Sequence, residues 1–289
     1  LYGANLPGYT SHIDSLDDAK FHLERLKKVG AFSVKSYNQP RRNQRQQVIA
    51  AARELEMMVV PEGGSLLQHN LTMIADGHTG IEHSLPAANI YSDIKQFWSQ
   101  TEVGYTPTLV VAYGGISGEN YWYDKTDVWA HPRLSMYVPS DILDARSMRR
   151  PTAPDEHYNH FNVARVANEL NEVGIKANIG AHGQREGLAA HWEMWMFGQG
   201  GMSNLEVLKT ATINPAKHFA MDHQIGSIKQ GKLADLIIID GNPLEDIRVT
   251  DRVTYTMVNG KLFNAETMDQ LNGGSNNKGK QRETFFFEK

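Results

Sequence analysis

Apolar positions along the chain alternate between helical and strand spacings. In "SLDDAKFHLERLKKVG" they recur at helical intervals behind Ser15, with acids in the first turn, bases in the last and Gly30 as a stop. That order predicts a capped helix. The β-type run "AFSVKSY" follows, then the helical "NQRQQVIAAARELE" and the apolar run "MMVVP". The same rhythm predicts a helix over 66–76 leading to a strand near "TGIEH", a helix over 90–100 leading to the strand "YTPTLVVAY", and a helix over 157–173 leading to "IKANIG". Five β runs separated by helices imply a parallel sheet.

Between Tyr113 and Asp155 the pattern breaks into a long irregular segment rich in Tyr, Trp, Pro and Gly, the texture of a functional loop or lid. "SNLEVLKTATINPAKHFA" then predicts two short helices. Beyond it, "IGSIKQGKLADLIIIDG" and "VTYTMVNGKLFN" read as short strands joined by Gly and Asn turns, so a small β unit closes the fold. The tail "LNGGSNNKGKQRETFFFEK" reads as a flexible linker ending in an aromatic cluster.

A chain of 289 residues suits one α/β barrel or two smaller domains. With 40% hydrophobic and 21% charged residues it has the composition of a globular protein. Its net charge of −4, with Lys and Arg scattered, offers no basic stripe for nucleic acid, and no apolar run reaches the ~20 residues needed to span a bilayer. A small-molecule or peptide-like substrate is the expected partner. The absence of cysteine removes thiolate metal sites and cysteine nucleophiles together, so any metal must sit on His, Asp, Glu or modified Lys. The opening "LYGANLPGYT" lacks the regions of a signal peptide and begins at Leu, which suggests an upstream segment.

In parallel α/β barrels chemistry gathers where strands end. Here "AFSVKSY" ends near Lys35, "MMVVPEGG" at Glu62, "TGIEHS" at Glu82 and His83, and "IKANIGAHG" at His182. Carboxylates and imidazoles delivered to one end can converge on a divalent metal. Plainer roles compete: a rim lysine paired with Glu62 for Lys35, and a turn cap for Glu62. His78 precedes its strand and belongs at the opposite end or in a turn. The nucleophile elbow G-x-S-x-G, a dinucleotide G-x-G-x-x-G after a β run and the H-E-x-x-H zinc helix are all missing from the sequence. In "GAHGQREGLAAHWEMW", His182 is the candidate catalytic acid or base, or a metal ligand. His191 is a candidate substrate contact or supporting residue, and Trp192 and Trp195 are packing residues at a helical step. Tyr113 opens an aromatic loop, running to Trp129, that is expected to line or cover the pocket.

The stretch "GGMSNLEVLKTATINPAKHFAMDHQIGSIKQGKLADLIIIDGNPLEDI" resembles the C-terminal signature of the amidohydrolase superfamily, in its imidazolonepropionase-like and prolidase-like branch. "GIEHS" resembles the sixth-strand histidine motif and "AFSVKSY" the fourth-strand lysine motif. "PEGGS", "DGHTGIEHSLP", "YTPTLVVAYGG" and "ENYWY" are similar to a subgroup in which the enzyme follows a TolB-like β-propeller in one secreted or periplasmic chain. The resemblance implies a (β/α)8 TIM-type barrel, incomplete at its N-terminus, over 1–222 (strands four to eight), a small β-sandwich portion over 223–270 and a tail over 271–289. It also implies one or two divalent metals, zinc foremost, with Lys35 as a lysine open to carboxylation and His83 as the sixth-strand ligand. A homo-oligomer is expected, because a partial barrel leaves open sheet edges.

Two residues depart from the family pattern. Glu62 stands where a fifth-strand histidine is usual, and His182 where the eighth-strand aspartate belongs; both can still ligate a metal. The family's first-strand H-x-H does not occur in the sequence. The expected activity is therefore metal-dependent hydrolysis of amide, cyclic amide or peptide-like C–N bonds, and the alternative is a catalytically incomplete fragment or degenerate homologue that binds or assembles without turnover.

Overall fold

A computed structural model describes residues 11–37, 39, 41–148 and 150–273. The opening decapeptide and the aromatic end of the expected tail lie outside the described residues. Helix α1 (Leu16–Lys28) starts as its sequence predicts. The Ser15 hydroxyl accepts from the Asp18 N–H while the Asp18 carboxylate accepts from the Ser15 N–H, a reciprocal capping box. Its apolar stripe, through Ala19 and Leu23, packs on Val48 and Ile49 of α2 (Arg42–Glu54) to form a small core of its own.

Strand β1 (Ser33–Ser36) pairs in parallel with β2 (Met58–Pro61), setting Lys35 opposite Val60. Helix α3 (Leu67–Asp76) leads to β3 (Gly80–Glu82), and α4 (Ser92–Ser99) leads to β4 (Gly104–Thr106), parallel to β3. A parallel bridge between Glu62 and Glu82 joins the two pairs, and another between Tyr105 and Ala177 adds the "IKANI" segment beyond β4. The parallel pairings thus follow chain order, each crossover carried by a helix.

Two β runs are shorter than their apolar length predicts. "YTPTLVVAY" leaves the sheet after Thr106, because Pro107 has no N–H to donate and Thr108 turns left-handed at φ 54°; residues Leu109–Val111 then close a 3₁₀ turn. "IKANIG" forms a bridge and not a full strand, although its backbone still donates to Tyr105 O and Thr210 O. The segment expected to be irregular between Tyr113 and Asp155 holds three helices, α5 (Gly118–Lys125), α6 (Pro132–Tyr137) and α7 (Ser140–Ser147). Trp122 and Tyr123 of α5 are buried in the main core, so this insertion is packed onto the fold. Helices α8 (His160–Glu172), α9 (Leu188–Gln199), α10 (Asn204–Thr210) and α11 (Ile213–His218) complete the α/β part.

The C-terminal strands β5 (Leu236–Ile239), β6 (Val253–Val258) and β7 (Lys261–Asn264) form an antiparallel sheet. Asn259 and Gly260 both take positive φ in the β6–β7 turn, the conformation a tight hairpin of right-twisted strands requires. The expected sandwich is represented among the described residues by this one layer, whose β5 leaves Leu236, Ile237 and Ile238 exposed. The five expected barrel strands, four to eight, are represented among the described residues by β1–β4 and the bridge at Ala177. Among the described residues no helix is long and apolar enough to cross a membrane.

Candidate functional site

Glu62 follows β2 directly, and its N–H donates to Ser36 O, so the β1–β2 ladder fixes its position one residue beyond the strand. Each carboxylate oxygen meets a different nitrogen. Lys35 Nζ lies 2.5 Å from Oε2 and His83 Nε2 lies 2.5 Å from Oε1. Burial pushes the Glu62 carboxyl upward, but the hydrogen bonds from His83 and Lys35 together outweigh it and bring the group down to about 2. Glu62 is a carboxylate at neutral pH.

His83 and His182 reach the same place through unusual backbone. His83 has φ 71° and His182 φ 54°, left-handed values that cost a non-glycine residue about 1–3 kcal/mol and persist only where the surroundings enforce them. For His83 the enforcement is visible: its N–H donates to Thr106 O at 2.8 Å, locking the turn onto the end of β4. The two imidazole rings stand edge to face with centroids 5.2 Å apart, and Tyr113 stacks on the other side of His83 at 5.4 Å. Tyr113 is itself held by its N–H donating to the Ser84 hydroxyl, while half of its surface stays exposed.

Alternation along β3 sends Glu82 elsewhere. Its carboxyl is pushed up to about 7 by burial, which the single Thr106 hydroxyl at 3.3 Å offsets only in part. Two carboxyls on neighbouring strand ends therefore differ in charge near neutrality. One is stabilised by two nitrogens and the other is desolvated.

The loop after His182 couples this cluster to the insertion. His182 Nδ1 lies 3.3 Å from Gln184 Oε1, the Gln184 amide donates to Glu119 of α5 at 2.9 Å, and Arg146 of α7 pairs with the same Glu119 at 3.6 Å. Nearby, the buried Arg185 donates to the Tyr123 hydroxyl.

The structure thus brings together Lys35, Glu62, His83, His182 and Tyr113. His191 is not among them: it is half-buried near His131, Arg133 and Asp251, desolvation lowers its pKa, and its Nδ1 has no hydrogen-bond partner among the described residues. His78 sits at the start of β3, its ring bonded to Met73 O. With Thr79, Gly104, Lys176 and His218 it lines a cavity of about 710 Å³ among the strand starts, at the opposite end from the carboxylate–imidazole cluster.

Among the described residues no three His, Asp or Glu side chains are arranged as a ready metal cage. The donor types nevertheless suit a divalent cation: one ionised carboxylate, two imidazoles, and a His83 Nδ1 that is buried without a partner. The Lys35 ammonium supplies positive charge to Glu62.

Sequence reasoning missed Glu193. It lies in α9, surrounded by Trp192, Met194, Trp195 and Phe197, fully buried, with its carboxyl pushed up to about 8 by burial against the pull of the Val110, Gly180 and Leu109 N–H groups. One acid in an otherwise apolar helix was the signal available.

The chain is 39% identical over 62 residues to the adenine deaminase of Desulforamulus reducens, a match covering 22% of this chain and 10% of that protein. It is 41% identical over 69 residues to the ochratoxinase of Aspergillus niger, covering 22% and 14%. In structure it is similar to a Xaa-Pro dipeptidase with methionine bound in its active site, at a TM-score of 0.64 and 21% identity over 91% of this chain and 63% of the other. These matches span small parts of the curated relatives and less than two thirds of the solved chain. Residues 42–263, which hold Glu62, His83, Tyr113, His182 and the antiparallel strands, match one family throughout, and the chain belongs to the Amidohydrolase family.

Proposed function

We propose that this chain carries part of the active site of a metal-dependent hydrolase cleaving amide, cyclic amide or peptide-like C–N bonds, in the prolidase-like branch of its family. One observation carries the reading: Lys35, Glu62, His83 and His182 come from four of the five parallel β runs and gather at one end of them. Glu62, His83 and His182 would hold a divalent cation, zinc foremost, with Lys35 joining as a carbamate or remaining the counter-charge to Glu62. When bound, such a cation supplies Lewis acidity for activating water and polarising a carbonyl. As the alternative to ligating the cation, His182, at the mouth of the cluster, would pass a proton to the leaving amine, and Tyr113 offers a half-exposed aromatic face beside His83 for the substrate. The resembled TolB-propeller subgroup, and with it a secreted or periplasmic location, is part of the same reading and rests on the quoted sequence stretches.

A second reading is binding without turnover. It is favoured by the pairing of both Glu62 oxygens with Lys35 and His83, which leaves the carboxylate satisfied without a metal.

One experiment separates the two. The longest natural form of the protein is loaded with zinc, manganese or iron, its metal measured by elemental analysis, and amine release assayed on a panel of dipeptides, N-acyl amino acids and lactams. Stoichiometric metal with hydrolysis that is lost in His83→Asn supports the hydrolase. Absence of both metal and turnover in that form sinks it.

A further inference from the structure

Helix α9 carries a carboxylate where its surroundings call for an apolar side chain. Glu193 is 0% exposed and flanked by Trp192, Met194, Trp195 and Phe197, all buried. Burying a carboxyl group without compensation is among the most destabilising changes available to a core. Among the described residues its hydrogen bonds come from backbone N–H groups at two β-run ends. Oε1 accepts from Val110 N–H at 2.6 Å, in the 3₁₀ turn after β4, and Oε2 accepts from Gly180 N–H at 3.4 Å, two residues before His182. Those two ends are pressed together: a Cβ on Gly180 would lie 2.6 Å from Thr106 Cγ2 and 3.1 Å from Thr108 Oγ1. From this close packing the chain passes directly into His182, whose φ of 54° needs external support.

We propose that Glu193 is the positioning residue for His182: its two oxygens tie the turn after β4 to the segment leading into His182 and thereby hold the left-handed turn that aims the imidazole toward His83. The role rests on His182 belonging to the proposed site. It explains why a carboxylate is kept where a methionine of similar length would pack without any desolvation cost. A purely structural carboxylate would stabilise α9 without affecting His182 in particular.

The test uses the full chain with ¹³C,¹⁵N-labelled histidine, the His182 ring signals being assigned by their loss in His182→Ala. Glu193→Gln keeps one carbonyl acceptor and Glu193→Met keeps none, while Phe197→Leu perturbs the same helix without touching either N–H. The expected result is a displaced His182 ring signal and at least tenfold weaker Zn²⁺ binding in Glu193→Met, an intermediate change in Glu193→Gln and no displacement in Phe197→Leu. An unmoved His182 signal in a folded Glu193→Met, or an equal displacement in Phe197→Leu, overturns the proposal. Should Glu193→Met not fold, amide exchange in the unmodified protein decides: Gly180 and Val110 N–H protected at least a hundredfold beyond Gln184 support it, and a Gly180 exchange rate equal to that of Gln184 overturns it. If His182→Ala binds Zn²⁺ as tightly as the parent, the metal role of His182 fails, and the ring signals still report whether Glu193 holds it.

Discussion

His83 Nε2 sits 2.5 Å from Glu62 Oε1, although the two residues close different strands. The contact exists because Glu62 continues the β1–β2 ladder by one residue while the left-handed turn at His83 folds its ring back over the strand ends.

That contact has a pH signature. The Glu62 carboxyl is lowered from 4.5 to about 2, so the stability it provides is fully present above about pH 4.5 and is lost as pH falls toward 2. The shift corresponds to about 3 kcal/mol at most, less whatever solvent reaches the half-exposed Lys35 end. Urea unfolding at pH 5, 4 and 3 should show this slope in the parent and lose it in Glu62→Gln. Parallel slopes in the two proteins would mean the pairing contributes nothing.

Gly63 marks the closest approach between the first two strand pairs. A Cβ there would lie 2.3 Å from the Glu82 carbonyl oxygen, which accepts the Gly63 N–H. Gly63→Ala must push β2 away from β3 and open the Glu62–His83 contact. The expected outcome is a loss of about 1–3 kcal/mol in unfolding free energy, read by denaturant titration, with the acid slope of the Glu62 carboxyl weakened as well. A fully stable Gly63→Ala would show that the junction can shift freely.

Lys35 divides the two functional readings. If it ligates metal as a carbamate, Lys35→Ala should lose metal-dependent turnover and regain part of it on adding short carboxylic acids such as propionate. If it is only the counter-charge to Glu62, no acid will rescue the variant, and the change will be confined to a Glu62 titration moved up toward 4.5. Turnover in the absence of rescue acids at the parent rate would remove Lys35 from the chemistry.

Much of this arrangement was legible in sequence. Ser15 and Asp18 announced α1, the alternation of apolar spacings announced the helix-linked parallel runs, and Lys35, Glu62, His83 and His182 stood where those runs end. Apolar content alone could not tell where the sheet stops in "YTPTLVVAY", because Val110 and Leu109 are as buried in a 3₁₀ turn as they would be in a strand. His191, expected as a substrate contact or supporting residue, is instead carried by nine residues of loop and helix to the neighbourhood of Asp251 and Arg133. Glu193 escaped notice because its partners are backbone groups, which no side-chain pattern reveals.

Two buried histidines contribute a separate and milder pH dependence. His78 and His160 are 2% and 0% exposed, and burial lowers each to about 4, against the hydrogen bonds the rings make to Met73 O and Gln199 Oε1, which favour the charged ring. In both cases the fold prefers the neutral imidazole, while the unfolded chain takes up protons from about pH 6.5 downward. The contribution of these two rings therefore declines as pH falls from about 6.5 to about 4 and levels off below, each by up to about 3 kcal/mol, while the buried Glu82 and Glu193 carboxyls, held up to about 7 and about 8, act in the opposite direction as pH falls toward 4.5. This window lies above that of Glu62, so the two can be resolved. Replacing His160, whose Nδ1 has no partner, with Phe should remove its share, so that relative to the parent the variant gains stability as pH falls from 6.5 to 4, with the slope below pH 4 intact. Unfolding free energies measured at half-unit steps from pH 7 to 3 would check it, and an unchanged slope between 6.5 and 4 in His160→Phe would show that the imidazole protonates in the folded core as readily as in the unfolded chain.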